Sequence, residues 1–175
     1  VRTTTADAAP FVDIAHPVAV AIEVAGCGDT LPLTAGRSDV WFDHDGQITK
    51  RDVRASALAH LRPAPGAHLW DLGAGSGAIG LEWCLAAPGA RCTAVERDPG
   101  RAGRAGDNSI RHGVAERHAV VVGDSADPAV LTTLGSPDAV FVGGGLSAEL
   151  LDRVVAALPR GGRLVAHAVT LESEG

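Results

Sequence analysis

A glycine-rich turn constrains this chain more than any other feature. The run Asp71-Leu72-Gly73-Ala74-Gly75-Ser76-Gly77 follows the apolar residues 68 to 70 and opens a helix-forming stretch. Glycine lets the backbone approach a ligand where a side chain would block it, and such a turn between a strand and a helix is a common nucleotide-binding element. The turn predicts a cofactor site, with two later acidic residues, Glu96 and Asp124, as candidates for its polar contacts.

Apolar runs alternate with helical patterns along most of the chain. Strands are predicted at 67–71, 91–96, 118–122, 138–143 and 163–169, with helices at 76–87, 99–112, 126–134 and 147–158. This alternation is typical of a parallel sheet covered by helices on both faces, in which ligands bind at the carboxyl ends of the strands. We therefore expect an α/β, Rossmann-like, mostly parallel doubly wound sheet.

The glycines alone do not identify the cofactor. Gly73, Gly75 and Ala78 also satisfy the dinucleotide pattern G-x-G-x-x-G/A, and Glu96 stands near the expected offset of about 20 residues. In either case the carboxylate would accept hydrogen bonds from ribose hydroxyls. A third alternative is a turn that only packs helix against strand, with Asp124 as a helix cap.

Asp71 and the segment Val122-Gly123-Asp124-Ser125-Ala126 favour one cofactor. With the glycine turn, and with Leu158-Pro159-Arg160-Gly161-Gly162-Arg163-Leu164, they resemble the class I S-adenosylmethionine-dependent methyltransferases. The resemblance implies that the turn meets the methionine part of S-adenosyl-L-methionine, Glu96 the ribose and Asp124 the adenine. The implied cofactor-binding residues are Gly73, Ala74, Gly75, Ser76, Gly77, Glu96, Asp124, Ser125 and Ala126.

Four further segments narrow the family. They are Asp45-Gly46-Gln47-Ile48-Thr49-Lys50-Arg51-Asp52-Val53-Arg54, Glu96-Arg97-Asp98-Pro99, Val142-Gly143-Gly144-Gly145 and Ala168-Val169-Thr170-Leu171-Glu172. Over about residues 40 to 172 the chain resembles the CbiT-like methyltransferases of cobalamin synthesis, specifically the C-terminal half of the precorrin-6Y C5,15-methyltransferases (decarboxylating). The resemblance implies a tetrapyrrole substrate, methylated at C15 and decarboxylated at its C12 acetate, and a contact between Thr49 and the cofactor.

A helix is predicted from Thr49 to Leu61, with Thr49 as its N-cap and Val53, Ala57, Leu58 and Leu61 as its apolar face. Lys50, Arg51 and Arg54 cluster near its N-terminus, where cations oppose the helix dipole. The cluster suggests an anionic partner, for which a carboxylate-rich precorrin is suited; the alternative is a solvated charged face. The candidate catalytic residues are Lys50, Arg54, His167 and Glu172.

The glycine run that starts at Gly143 follows the fourth predicted strand. Gly143 is placed among the cofactor-binding residues, and the run would leave room for a broad, flat substrate beside the methyl donor. A plain tight turn is the alternative.

Charge and cysteine content exclude several classes. A net charge of −6 disfavours a general nucleic-acid binder. The cysteines are odd in number and lack zinc-knuckle spacing, so we expect no disulfide framework and no metal, and Asp43-His44-Asp45 is interpreted as an exposed loop. No apolar stretch reaches membrane-spanning length, so a cytoplasmic location without a membrane partner is expected.

Domain organisation is expected to be one domain preceded by a tail. Residues 1–40, with a strand-like run at 18–24, are interpreted as the tail of a preceding domain plus a linker, and 41–175 as the methyltransferase domain. The resemblance of Ile14-Ala15-His16-Pro17 and the run at 18–24 implies that the preceding domain is the C5-methylating domain of the same polypeptide. The C-terminal strands usual in class I methyltransferases are not found, and exposed sheet edges favour a homo-oligomer. The alternatives for function are a tRNA methyltransferase and a non-catalytic S-adenosylmethionine-binding module.

Overall fold

The computed structural model describes residues 31–167. Its elements begin with a short 3-10 helix, Asp39–Trp41, and then alternate. The helices are α1 (Arg51–Leu61), α2 (Ala78–Ala86), α3 (Pro99–Arg111), α4 (Pro128–Leu131) and α5 (Ala148–Ala157). The strands are β1 (His68–Leu72), β2 (Arg91–Glu96), β3 (His118–Val122), β4 (Ala139–Val142) and β5 (Arg163–Ala166).

All five strands are parallel and lie in the order β3-β2-β1-β4-β5. The chain runs outward from β1 to β3, returns to the other side of β1, and continues to β5. The strand order therefore reverses between β1 and β4, which is where doubly wound sheets bind ligands. This confirms the predicted fold class.

Each face of the sheet carries its own apolar core. Side chains of a strand alternate between the two faces, so Leu69 and Phe141 pack in the core that contains α1 and α2. Trp70, Leu72 and Val140 pack in the other core, with Leu150 and Val154 of α5. Every residue of β1 and β4 is buried, as expected for central parallel strands; β4 is entirely apolar, whereas β1 includes His68 and Asp71.

Two helices differ from the prediction. The predicted N-cap at Thr49 is wrong: α1 begins at Arg51, and Lys50 is the extended N-cap residue, without a side-chain cap. The predicted helix at 126–134 shortens to Pro128–Leu131, because Asp127 caps it late and the hydroxyls of Thr132 and Thr133 bond back to Ala129 and Val130 carbonyls. Such local bonds compete with helix propagation.

Residues ahead of the predicted domain boundary at residue 40 also pack on this unit. The amides of Gly36 and Arg37 donate to the Glu82 carboxylate of α2, at 2.6 and 2.9 Å. The strand-like run at 18–24 and Cys27 lie outside the described residues. Within the described part, no helix is long and apolar enough to cross a membrane.

Candidate active site

The glycine turn lies at the carboxyl end of β1. Gly73, Gly75 and Gly77 all have positive φ angles, and the amides of Gly73 and Ala74 both donate to the Val95 carbonyl, at 2.9 and 3.1 Å. Residues with a Cβ rarely adopt that conformation. The turn therefore presents main chain rather than side chains at the edge of the sheet.

Glu96, at the end of β2, contacts this turn directly. Its Oε2 accepts a hydrogen bond from the Gly75 amide at 2.8 Å, and its Oε1 accepts one from the Asp98 amide at 3.0 Å. The side chain is only 6% exposed. A carboxylate oxygen has more than one acceptor site, so hydroxyl donors of a ligand can still bond to it. The structure thus places Glu96 in direct contact with the glycine turn.

Asp124 follows β3, the strand next to β2, and is exposed. Its Oδ1 accepts a hydrogen bond from the Ala126 amide at 2.8 Å, which closes a turn through Ser125. The helix that follows is capped by Asp127, whose Oδ1 accepts from Ala129 at 2.8 Å. The alternative interpretation of Asp124 as a helix cap is therefore wrong, and its carboxylate stands at the same edge as Glu96.

Gly143 directly follows β4 and lies against the glycine turn. Its amide donates to the Leu72 carbonyl at 2.8 Å, and a Cβ added at this position would lie 2.8 Å from the Gly73 carbonyl oxygen. No larger residue fits without displacing main chain. Gly143 thus lies between the ends of β1 and β4, where the strand order reverses, whereas a Cβ at Gly144 or Gly145 would meet nothing within 4 Å.

A segment from Asp43 to Thr49, which we call the strap, crosses beside the glycine turn. The Gln47 carbonyl oxygen lies 3.6 Å from the position that a Cβ on Gly75 would occupy. Thr49 is half-buried, and its carbonyl accepts a hydrogen bond from the Arg54 guanidinium. The strap thus passes the glycine turn at Gln47, the Thr49 carbonyl is bonded to Arg54, and Lys50, the next residue, is exposed.

Arg54 does not belong to an exposed cationic cluster, and this expectation is wrong. Its side chain is 0% exposed and pairs with Glu82 at 2.8 Å and Asp39 at 3.1 Å. The guanidinium also lies 4.8 Å from the centroid of the Phe42 ring. Arg54 is surrounded by protein, so its role is structural. Lys50 and Arg51 remain as exposed cations at the start of α1.

His167 follows β5 and is half-buried. It packs edge-on against Phe141, with ring centroids 4.8 Å apart, and burial lowers the pKa of its imidazole. The ring lines a cleft of about 470 Å³ between α1 and β5, with Asp52, Val53 and His60 on the helix side. Its neutral form is thus favoured near neutral pH. Glu172 lies outside the described residues.

Asp71 is fully buried beneath the glycine turn. Its Oδ2 accepts from the Gly80 amide at 3.0 Å, whereas its Oδ1 has no hydrogen-bond partner among residues 31–167. Burial, and secondarily the negative charge of Glu96, raise the pKa of Asp71 to about 7. The acid that precedes the first glycine therefore bonds the first turn of α2, and the negative charge of Glu96 disfavours its ionisation.

Metal binding finds no support in this part of the chain. Across residues 31–167 no three His, Cys, Asp or Glu side chains are grouped to hold an ion. Asp45 instead pairs with Arg101 and Arg104, each at 2.8 Å. Cys84 and Cys92 are buried and free, and burial raises the pKa of Cys84 to about 12.

Two buried polar residues, Glu82 and Asn108, were not predicted from the sequence. Glu82 is the one acid in the otherwise apolar helix α2, and Asn108 shares the buried face of α3 with Ala102 and Ala105. A polar residue on an apolar helical face needs hydrogen-bond partners. Asn108 could have been found from its place on the apolar face of α3. Glu82 could have been found as the single acid among the apolar residues of α2.

The fold and the site together define a Rossmann-like domain of the class I methyltransferase type: parallel strands in this order, with a glycine turn and two acids at consecutive carboxyl ends. More particularly, the chain belongs to the precorrin methyltransferase domain family, whose model matches residues 40–175.

Individual relatives agree with this assignment. A precorrin-6Y C(5,15)-methyltransferase [decarboxylating] of Sinorhizobium is 48% identical over 178 residues, which cover 99% of this chain and 42% of that protein. A probable cobalt-precorrin-6B C(15)-methyltransferase (decarboxylating) of Pyrobaculum calidifontis is 40% identical over 80% of this chain and 73% of its own length. The chain thus spans less than half of the first of these relatives.

A solved structure shows the same fold. The C-terminal domain of precorrin-6Y C5,15-methyltransferase from Rhodobacter capsulatus superposes with a TM-score of 0.77 at 45% identity, covering 82% of this chain and 76% of that one.

Proposed function

We propose that this domain binds S-adenosyl-L-methionine at the carboxyl edge of β1, β2 and β3. The supporting observation is that a glycine-rich turn, Gly73–Gly77, is hydrogen bonded to Glu96 at the end of β2, while the exposed Asp124 follows the neighbouring strand β3. A glycine cradle fits a ligand that approaches main chain, and carboxylates fit ribose hydroxyls and an adenine amino group, which are all donors. The full proposed set is Thr49, Gly73, Ala74, Gly75, Ser76, Gly77, Glu96, Asp124, Ser125, Ala126 and Gly143.

We further propose that the domain transfers a methyl group to C15 of a precorrin and decarboxylates its C12 acetate, in cobalamin biosynthesis. The names of the Sinorhizobium and Pyrobaculum relatives support this reaction. The cofactor would supply an electrophilic methyl group. Positioning the carbon acceptor in line with that group is the main task of the protein, because proximity and orientation alone lower a bimolecular barrier by several kcal/mol.

The chain offers distinct groups for the substrate. Lys50 and Arg51 are exposed beside the strap and suit the carboxylates of a precorrin. His167 lines the cleft between α1 and β5, and its neutral ring is the group that we propose to exchange a proton with the substrate. Lys50, His167 and Glu172 are the proposed catalytic residues, and Arg54 supports the helix that carries Lys50.

The partners proposed are the precorrin and, from the length of the relatives, a preceding C5-methylating domain of the same polypeptide. Self-association and a cytoplasmic location remain predictions from the sequence.

Calorimetric titration tests the cofactor assignment. S-adenosyl-L-methionine should bind the wild-type domain, and NADH should not. Binding of NADH alone would contradict the proposal and restore the dinucleotide alternative left open by the glycine pattern.

A further inference from the structure

Asn108 of α3 is completely buried, and its side-chain amide joins two separate segments of the site. Its Nδ2 donates to the Asp43 carbonyl at 2.9 Å and to the Ser76 carbonyl at 3.0 Å. Its Oδ1 accepts from the Asp43 amide at 2.8 Å. One side chain therefore holds both polar main-chain groups of Asp43, where the strap begins, and a carbonyl of the glycine turn.

These three bonds use both N–H donors of the carboxamide and its carbonyl oxygen as an acceptor. An aspartate could accept from Asp43 but could not donate to either carbonyl, and leucine could do neither. The bond to Ser76 is buried and the two bonds to Asp43 are partly buried, so the Ser76 carbonyl in particular loses a buried hydrogen bond when the carboxamide is removed. Asn108 thus ties the start of the strap to the glycine turn.

The outer part of the strap is held by the same helix. Asp45 Oδ2 accepts from Arg101 Nε and Arg104 Nη2, each at 2.8 Å. Helix α3 also begins beside Glu96, whose Oε1 accepts from the Asp98 amide at 3.0 Å. One helix consequently fixes the strap at two points and adjoins the acid proposed for the ribose.

We propose that Asn108 is a positioning residue that sets the gap between the strap and the glycine turn for the methionyl end of the cofactor, and that Asp45 with Arg101 and Arg104 latches the strap from outside. The inference rests on the proposed function for the identity of the ligand. It assigns Asn108 no contact with the ligand: the groups that it aligns are the Gln47 carbonyl and the main chain of Gly75 to Gly77.

The first test compares two ligands that share the adenosine half. In Asn108→Asp, the dissociation constant for S-adenosyl-L-methionine should rise about tenfold or more, as expected from the loss of one buried and one partly buried hydrogen bond. The constant for adenosine, which lacks the methionyl end, should change less than about twofold, within the scatter of indirect effects. Ser109→Ala is the matched control, because Ser109 is the buried neighbour whose hydroxyl bonds only within α3, to Gly106. Equal weakening of both ligands, or of neither, would overturn the proposal.

A second measurement needs no ligand. Amide hydrogen exchange in Asn108→Asp should accelerate about tenfold or more in residues 43–47 and 75–77, because these segments lose their common tie, and remain unchanged in β1 and β4. Uniform acceleration would mean a general loss of stability and would contradict a positioning role. If the wild-type domain does not bind the cofactor, the proposed function fails, whereas the exchange pattern still decides whether Asn108 joins the two segments.

The exposed latch gives a variant that does not disturb the core. Asp45→Asn should weaken S-adenosyl-L-methionine binding about threefold at low salt, and the difference from wild type should vanish near 1 M salt, where the Debye length is about 3 Å. Asp107→Asn, an exposed acid on the same helix, is the charge-matched control. A salt-independent effect, or the same effect in the control, would contradict the latch.

Discussion

Arg54 Nε lies 2.8 Å from Glu82 Oε1, and the two side chains are 0% and 1% exposed. Glu82 also accepts hydrogen bonds from the amides of Gly36 and Arg37, so this carboxylate ties α1, α2 and the segment ahead of the strap together. A buried ion pair adds little net stability over an apolar pair, but removing one partner leaves an uncompensated charge.

We therefore expect Arg54→Met to lower the free energy of unfolding by about 3 to 5 kcal/mol, measured by urea denaturation. The double variant Arg54→Met with Glu82→Gln should recover part of that loss, since no buried charge then lacks a partner. A loss below about 1 kcal/mol in the single variant would show that the pair is solvated.

Asp71 should make stability depend on pH. Its pKa is about 7 in the folded domain and near its usual value of 3.8 in the unfolded chain. Between these values the folded state binds more protons, so the free energy of unfolding falls as pH rises.

Asn cannot ionise, so the free energy of unfolding of Asp71→Asn does not fall with rising pH through this side chain. The free energy of unfolding of the variant relative to wild type should therefore increase by about 2 kcal/mol from about pH 5 to pH 8. Denaturation at both pH values measures the difference. A constant difference across this range would mean that Asp71 is ionised throughout.

Glu96 should contribute to cofactor affinity through hydrogen bonds to hydroxyl groups. Glu96→Ala removes a charged acceptor, and charge-assisted bonds contribute about 1.5 to 3 kcal/mol. Calorimetry should show S-adenosyl-L-methionine binding weakened about tenfold to a hundredfold. Glu149→Ala, an exposed acid on α5, changes the charge equally and should leave affinity unaltered.

Asp124→Ala should weaken cofactor binding too, because the proposed adenine contact loses its carboxylate acceptor. The expected loss is about tenfold, and titration of the folded variant measures it. Unchanged affinity would remove Asp124 from the site. Asp127→Asn offers a comparison, since that acid caps α4 without belonging to the proposed set.

Lys50 and Arg51 should contribute to binding of the precorrin and not to binding of the cofactor. The double variant Lys50→Ala with Arg51→Ala should weaken precorrin binding about tenfold, as expected for the loss of two charge-assisted contacts, and spare the cofactor. Arg160→Ala, an exposed arginine that lies in a different cleft with Arg62 and Arg163, is the control. Equal losses for both ligands would count against a substrate patch at the start of α1.

The sequence predicted the sheet because strands and helices leave different periodicities. The limits of β2 and β3 agree to the residue, since both strands end at polar or glycine positions. The convergence of the glycine turn and Glu96 also followed, because neighbouring parallel strands bring their carboxyl ends to one edge.

Arg54 shows why part of the site could not be predicted. It shares a helical face with Ala57, Leu58 and Leu61, yet hydropathy assigned that place to Val53, which is 48% exposed. The partner that makes burial of Arg54 possible, Glu82, is 28 residues away in sequence. Pairing at that distance depends on tertiary packing, which a local pattern does not encode.

Methylation and decarboxylation of the precorrin test the proposed function most directly. The domain should be incubated with S-adenosyl-L-methionine and precorrin-6Y or its C5-methylated derivative, and the products followed by mass spectrometry. The substrate should gain one methyl group and lose carbon dioxide. Cofactor binding with no change in substrate mass would contradict the proposed function, and would leave tRNA methylation or non-catalytic cofactor binding as the function of this fold.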